Sequence, residues 1–372
     1  MIYYLNTVIF VKLIIVMMLK KKKYRVLGVM SGTSLDGIDL ALVDLYTDPW
    51  NYNIIKTSTI AYTDNWINLL SNIYDQDLSR IKKIDISYTD YLGTIINKFI
   101  SDNKIYDIDF VSSHGHTAKH LPDDQITYQL GNLSSINDKY NLTTICDFRK
   151  QDIDLGGQGA PLVPIGDKIL FSKYSACLNF GGFANISREF CGVRIAYDIC
   201  SVNLVFNYLA QIKSMPYDKN GKLARSGCLI EPLYNKLNKI EFYNLTYPKS
   251  LGVEWVVNEI YPLIQEECTK SSIEDVMHTY LMHIVLKISD CFQDDDTILI
   301  TGGGALNTYL IEVLRNNTKA NIIIPSRELI EFKEALIFGL LGLLRFLNIN
   351  NSLSSITGAS INHCSGNIFR MK

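Results

Sequence analysis

Met30-Ser31-Gly32-Thr33-Ser34-Leu35-Asp36-Gly37-Ile38-Asp39 is the stretch on which the reading of the whole chain turns. Residues 24–29 before it and 40–46 after it are apolar and rich in β-branched side chains. Both read as strands, and the decapeptide as the turn between them. Gly32 and Gly37 allow a sharp reversal and keep side chains out of a ligand's way. Ser and Thr hydroxyls beside successive backbone N–H groups make a concave donor nest suited to phosphate. Asp36 and Asp39 add carboxylates able to orient Mg2+ or sugar hydroxyls. The G-x-x-x-x-G-K-[ST] pattern is missing and no helix follows, so this is not a Walker loop. The competing reading is a plain hairpin of Gly, Ser and Asp.

Outward from the turn, composition sets the bounds. At 372 residues the chain exceeds the usual single core, and two domains are expected. A formal net charge of −2 provides no basic stripe and argues against nucleic acid as a partner. The 8 cysteines are scattered, with no C-x-x-C pair and no metal-ligand spacing, which favours reduced thiols over a disulfide framework. Residues 2–19 are apolar but interrupted by Asn6 and Lys12, and four lysines follow them. The basic region comes after the apolar run and no cleavage site follows, so this is not a signal peptide. The run is also short for a membrane span. The expectation is a leader over 1–18, outside the fold, with Met17 or Met18 as the start and no membrane association.

Further along, 52–62 reads as a third strand, and 66–73 and 86–101 as helices. An apolar run at 108–112 reads as a buried strand delivering the polar loop Ser113-His114-Gly115-His116-Thr117 at its carboxyl end, where ligands bind in open α/β sheets. Residues 142–146 repeat that plan ahead of Asp147-Phe148-Arg149-Lys150-Gln151-Asp152, and the glycine-rich 156–161 reads as the interdomain crossing. A second meander follows at 176–180, 183–189 and 193–197, turning at Gly181-Gly182 and ending in Asp198. Helices are expected at 204–213, 229–239, 253–268 and 273–291. A short strand at 298–300 opens onto Thr301-Gly302-Gly303-Gly304-Ala305-Leu306-Asn307, which puts bare backbone and a helix N-terminus against a ligand. Another strand is read at 322–324, and a long apolar helix over 334–346, with Gly339 packing closely. The fold class expected is α/β, a duplicated plan in which each half opens with an antiparallel meander.

Glycine-rich turns from two lobes closing on a nucleotide are the plan of actin-like sugar kinases and ATPases. Six stretches in this order resemble the anhydro-N-acetylmuramic acid kinase family: residues 30–39, 113–117, 156–164, 179–186 (Asn-Phe-Gly-Gly-Phe-Ala-Asn-Ile), 302–307 and 355–359 (Ser-Ile-Thr-Gly-Ala). The resemblance covers about residues 23–368. It implies duplicated ribonuclease H-like domains, here 19–170 and 171–372, with a nucleotide cleft between them. It implies a cytoplasmic, ATP- and Mg2+-dependent enzyme of cell-wall recycling that hydrolyses a 1,6-anhydro ring and phosphorylates O6. A homodimer is compatible with it.

The same resemblance distributes roles. Asp198 would be the base that activates water. Gly32, Thr33, Ser34, Leu35, Asp36, Gly37, Ile38 and Asp39 would hold the β- and γ-phosphates, with Asp36 near the metal. Gly302, Gly303, Gly304 and Asn307 would line adenine and ribose. Glu334, His114, Arg149 and Gln158 would bind the sugar, Arg149 being suited to a carboxylate clamp. Plainer readings stand beside these. Glu334 could be a first-turn carboxylate favoured by the helix dipole, His114 a loop residue, and Arg149 the ion-pair partner of Asp147 or Asp152. Two departures stand out. Where the family carries D-T-G-P-G-N, this chain has Asp198-Ile199-Cys200-Ser201-Val202-Asn203, and its D-F-R-R-R-D segment is reduced to Arg149-Lys150-Gln151. Side chains in place of glycines could crowd phosphate. The alternatives are therefore a nucleotide- or sugar-sensing module without turnover and a kinase for another amino sugar.

Overall fold

The structure, a computed structural model, describes residues 21–32 and 35–371. The expectations placed on the 1–18 leader, Thr33 and Ser34 lie outside the described residues. Two sheets organise the chain. In the first, β1 (Lys23–Ser31), β2 (Ile38–Thr47) and β3 (Trp50–Ile60) form an antiparallel meander. β4 (Phe110–Leu121) runs parallel beside β1, and β6 (Thr144–Cys146) parallel beside β4. β5 (Ile126–Leu130) folds back on β4. In the second sheet, β7 (Ala176–Phe180), β8 (Phe183–Phe190) and β9 (Val193–Ser201) repeat the meander. β10 (Thr297–Thr301) is parallel to β7, and β11 (Asn321–Ile323) parallel to β10. The orders β3-β2-β1-β4-β6 and β9-β8-β7-β10-β11 are therefore the same plan used twice.

The helices that matter for the site are, in chain order, α1 (Asp64–Ser71), α2 (Leu78–Asp102), α3 (Lys150–Asp154), α4 (Val163–Leu170), α5 (Asn203–Ile212), α6 (Ile273–Ser289), α7 (Thr308–Asn316) and α8 (Arg327–Phe346). Period-2 alternation gives each sheet two apolar faces. Leu27, Val29, Leu40 and Leu42 pack on α1 and α2. Leu178, Phe180, Ile186 and Ile300 pack on α5 and α6. The opposite faces, Val26, Val43 and Leu45 on one sheet and Cys177 and Leu299 on the other, meet over α4 and α8 in a third core. Each fully buried Leu or Ile there contributes about 1.5–3 kcal/mol. A buried ion cluster fastens the same layer. Lys333 Nζ of α8 lies 2.7 Å from Asp167 of α4, and Arg194 of β9 lies 4.0 Å from Asp167.

Three expectations about placement are corrected. The run at 108–112 does not end in a polar loop. β4 continues through His114 and Thr117, because His116 and Thr117 pair with Leu130 and Gln129 of β5. Asp198 is not at a strand end, since β9 extends to Ser201. Glu334 does not open its helix: Ser326 caps α8 by accepting from the Leu329 N–H at 3.3 Å, two turns earlier. In the glycine-rich 156–161, Asp152 accepts from the Gly159 N–H, and the Gln158 N–H donates to Thr357 O. The chain passes to the second sheet between β6 and β7 and later returns, with α8 against β1, β2 and β4, and β12 (Asn367–Phe369) beside β6. Gly339, expected to pack closely, lies inside α8, 3.7 Å from Gly28 Cα when a Cβ is placed on it.

Candidate active site

Among the described residues, the β1–β2 turn follows the carboxyl end of β1, Arg149 follows β6, and His114 lies within β4. The β1–β2 turn leaves from Ser31, whose Oγ meets the Tyr62 hydroxyl at 2.5 Å, the Tyr88 hydroxyl at 2.7 Å and His116 Nδ1 at 3.2 Å. This buried knot fixes the base of the turn. Gly37 is required there: a Cβ would lie 2.5 Å from Ile60 O, at φ +155°. Leu35 takes a left-handed φ of 60°, and Ile38 is buried, so both shape the turn through backbone. Asp36 is exposed. Asp39 accepts a 2.5 Å bond from Thr59 and is held above the ordinary carboxylate range by burial.

Arg149, just before α3, donates from Nε to His114 Nε2 at 3.0 Å and from Nη1 to Gly159 O at 2.7 Å. Burial pulls its guanidinium down to about 10, against the attraction of Glu334 and Asp152. Neither Asp147 nor Asp152 makes an ion pair with it among the described residues. Asp152 is taken up by Ser352 and Thr357, which donate to Oδ1 at 2.8 and 2.7 Å. Water reaches Glu334, yet surrounding protein raises its pKa, with Arg149 and Lys333 opposing and Asp39 and Asp36 adding to the rise. Arg149, Lys333, Asp39 and Asp36 are thus the charges that act on Glu334. Gln158, one residue from the Arg149 contact at Gly159, is exposed. His114 is buried with both ring nitrogens engaged inside the protein.

In the second lobe the pairings Thr301↔Asn179, Asn179↔Asn185 and Asn185↔Asp198 run a polar row across β10, β7, β8 and β9. Cross-strand partners share a face, and this face also carries Cys177, Leu299 and Arg194, which pack toward the first lobe. Asp198 therefore faces the inter-lobe side at the sheet's carboxyl edge. A β-bulge at Ile199, between the pairs Asn185↔Asp198 and Ala184↔Cys200, sets its aim. Asp198 Oδ2 accepts from the Leu251 N–H at 2.9 Å, and its own N–H donates to Lys249 O at 3.1 Å. Burial raises the carboxyl above its ordinary range, and the Leu251 bond opposes that rise. Segment 249–251 had no signal in the sequence, because its contribution is backbone.

The altered turn does not fill the cleft. Ile199, Cys200 and Val202 belong to the second lobe's core, and Ser201 O accepts from the buried Tyr280 hydroxyl at 2.8 Å. Asn203 remains at the edge, donating to Phe180 O at 3.1 Å. Gly181 and Gly182 receive the Asn203 and Val202 N–H groups. Gly302 adopts φ +82°, and a Cβ there would lie 2.6 Å from Asn179 Oδ1. A Cβ on Gly303 would meet only Asn203 Nδ2, at 3.9 Å. Gly304 must be bare because Phe180 Cβ would be 2.7 Å away. Asn307 caps α7 through the Leu310 N–H at 3.1 Å and abuts Gly221. Bare backbone beside a helix start fits a nucleotide. Among the described residues no group of three or more His, Cys, Asp or Glu could hold a metal ion. Mg2+ commonly takes one or two carboxylates and completes its shell with phosphates and water, so this donor set fits a nucleotide-borne ion.

Two lobes of identical strand plan with glycine-lined edges define the actin-like ATPase and sugar kinase class. The sequence matches the family described as anhydro-N-acetylmuramic acid kinase over residues 24–371, and the chain belongs to that family. The enzyme of that name from Sulfurimonas denitrificans is 33% identical over 356 residues, covering 90% of this chain and 96% of the relative. That of Haemophilus influenzae is 30% identical, covering 95% and 99%. Among solved structures, the activator of 2-hydroxyisocaproyl-CoA dehydratase from Clostridium difficile, with bound ADPNP, has a TM-score of 0.41 at 13% identity, covering 85% of this chain and 93% of its own. Component A of (R)-2-hydroxyglutaryl-CoA dehydratase from Acidaminococcus fermentans has 0.43 at 12%, covering 85% and 96%. Among the described residues no helix is long and apolar enough to cross a membrane.

Proposed function

We propose that this chain is an ATP-dependent kinase that opens the 1,6-anhydro ring of anhydro-N-acetylmuramic acid and phosphorylates O6, in the cytoplasm. The observation that carries the reading is Asp198, facing the first lobe beside the glycine-lined loops. Its carboxylate takes a proton from water as the oxygen bonds to C1 and the C1–O6 bond breaks. O6 then bonds to the γ-phosphorus, and ADP leaves. A carboxyl raised by burial is a stronger base than an exposed one.

The rest is positioning and charge neutralisation. The 32–39 turn holds the β- and γ-phosphates, and Gly302, Gly303, Gly304 and Asn307 border the nucleoside. Arg149, Gln158 and Glu334 hold the acidic amino sugar. Asp36 would hold Mg2+ together with phosphate oxygens, and the ion supplies neutralisation of phosphate charge. The working lobes are 21–170 joined by 327–371, and 171–326, closing to exclude bulk water.

The test is mass spectrometry of products from ATP and anhydro-N-acetylmuramic acid. The wild type is expected to yield N-acetylmuramic acid 6-phosphate. Asp198→Asn keeps an acceptor for Leu251 and is expected to lose about 10²–10⁴-fold in kcat while still binding ATP. No phosphorylated, ring-opened product from the wild type would exclude the proposal.

A further inference from the structure

His114 reads from sequence as a substrate ligand, but its geometry gives it other work. The residue is 4% exposed. Nδ1 lies 2.8 Å from Gly115 O. A carbonyl oxygen only accepts, so Nδ1 carries the proton. Arg149 Nε lies 3.0 Å from Nε2. A guanidinium only donates, so Nε2 presents its lone pair. The two partners therefore specify a neutral imidazole in one tautomer, with neither nitrogen left for a ligand. The Phe338 ring, 4.6 Å away between centroids, packs against the imidazole. Burial and the neighbouring guanidinium both hold His114 well below its ordinary pKa, which agrees with the neutral form.

The consequence falls on Arg149. Its Nε is committed to His114 and its Nη1 to Gly159 O. With two edges of a planar fork fixed, the direction of the remaining Nη2 edge is fixed too. No carboxylate makes an ion pair with the guanidinium among the described residues. Glu334, the first charge that acts on it, acts at longer range. The cation is thus aimed and available beside the acidic cluster.

We propose that His114 is a positioning residue, its Nε2 lone pair holding Arg149 in the direction from which the guanidinium meets the carboxylate of the sugar. This rests on the reading of the site as one for an acidic amino sugar. A protonated ring would place N–H against N–H and release the arm. An asparagine would keep the Gly115 bond but stop short of Arg149, whereas the longer glutamine can present an amide oxygen near the Nε2 position.

The experiment measures KM for sugar and for ATP, kcat and melting temperature in His114→Asn, His114→Gln, His114→Phe, Arg149→Ala and His114→Asn/Arg149→Ala. Loss of a hydrogen bond that orients a charged group predicts a sugar KM raised about 10- to 100-fold in His114→Asn. The ATP KM should stay within twofold and the melting temperature near wild type. His114→Phe, which keeps the packing on Phe338, should match it, and His114→Gln should recover most of the loss. On the Arg149→Ala background, His114→Asn should add little. If Arg149→Ala raises the sugar KM but His114→Asn and His114→Phe do not, positioning by His114 is overturned while the acidic-sugar reading stands. If Arg149→Ala leaves the sugar KM unchanged, the acidic-sugar reading itself fails. Equal losses in both KM values without rescue by glutamine would mark a merely structural histidine and also overturn the proposal.

Discussion

Replacing Gly28 by alanine tests whether α8 is seated on β1 tightly enough to set the position of Glu334. A Cβ on Gly28 would lie 2.0 Å from Ala335 O, 2.9 Å from the carbonyl carbon of Ala335 and 3.1 Å from Gly339 N. All three are helix backbone, so no side chain can swing aside. Restoring an ordinary contact of about 3.5 Å requires the helix to retreat by roughly 1.5 Å. Overpacking of this kind costs about 1–3 kcal/mol, and a backbone obstacle puts the cost at the upper end. Ala335 is bonded to Glu334, so the carboxylate retreats with the helix, and a displacement near 1 Å can cost on the order of 10²-fold in rate. The expected outcome in Gly28→Ala is a loss of about 3 kcal/mol in urea unfolding with kcat/KM for sugar down on the order of 10²-fold. Gly192→Ala serves as the control. That glycine has φ +78° and no atom within 4 Å of an added Cβ, so it bears only the conformational cost of about 1 kcal/mol. Wild-type stability and kinetics in Gly28→Ala would refute the claim that α8 has no room to yield.

Other outcomes follow from single contacts. Leu251→Pro removes the N–H that stabilises ionised Asp198, so the pKa of the base rises and the acid limb of kcat/KM moves to higher pH; an unmoved limb would show that this bond does not tune the base. Burial pushes His116 down to about 4 from 6.5. The unfolded chain therefore binds the extra proton first, and the stability held above pH 6.5 is lost as pH falls toward 4. His116→Gln should gain about 2 kcal/mol relative to wild type between pH 7 and 4.5, by denaturant unfolding; a constant difference would refute it. Lys333→Met leaves Asp167 buried with Arg194 4.0 Å away, and should cost about 3 kcal/mol. Lys333→Met/Asp167→Leu should recover at least half of that loss, and equal losses in both variants would deny the pairing.

The two meanders were legible because β-branched runs flank glycine turns at 32–37 and 181–182, and pairing there is local. What the sequence concealed is pairing over distance or in polar dress. Residues 113–121 carry no apolar alternation, because Ser113, His114 and His116 are buried through hydrogen bonds rather than hydrophobic packing. The start of α8 was hidden by charges at 327, 328, 331 and 333, although Ser326 is an ordinary cap and Leu329, Ile330 and Phe332 keep the helical period. Asp198 read as a strand end because the bulge at Ile199 interrupts the period just after it. Loops 156–159 and 302–304 were legible as glycine-rich, but not the Asp152 knot that holds the first, since its partners lie about two hundred residues on.

The return of the chain to its first sheet has a consequence for biosynthesis. Ribosomal synthesis runs from the amino to the carboxyl end, so β6 waits for its neighbour β12, and β1 for the helix that covers it, until more than 150 further residues have emerged. The second lobe, whose strands all lie between Ala176 and Ile323, can close its sheet while the earlier-made one still shows an uncovered apolar face. The half translated first is thus the half completed last, and a nascent chain halted before residue 327 would be the species most in need of a chaperone.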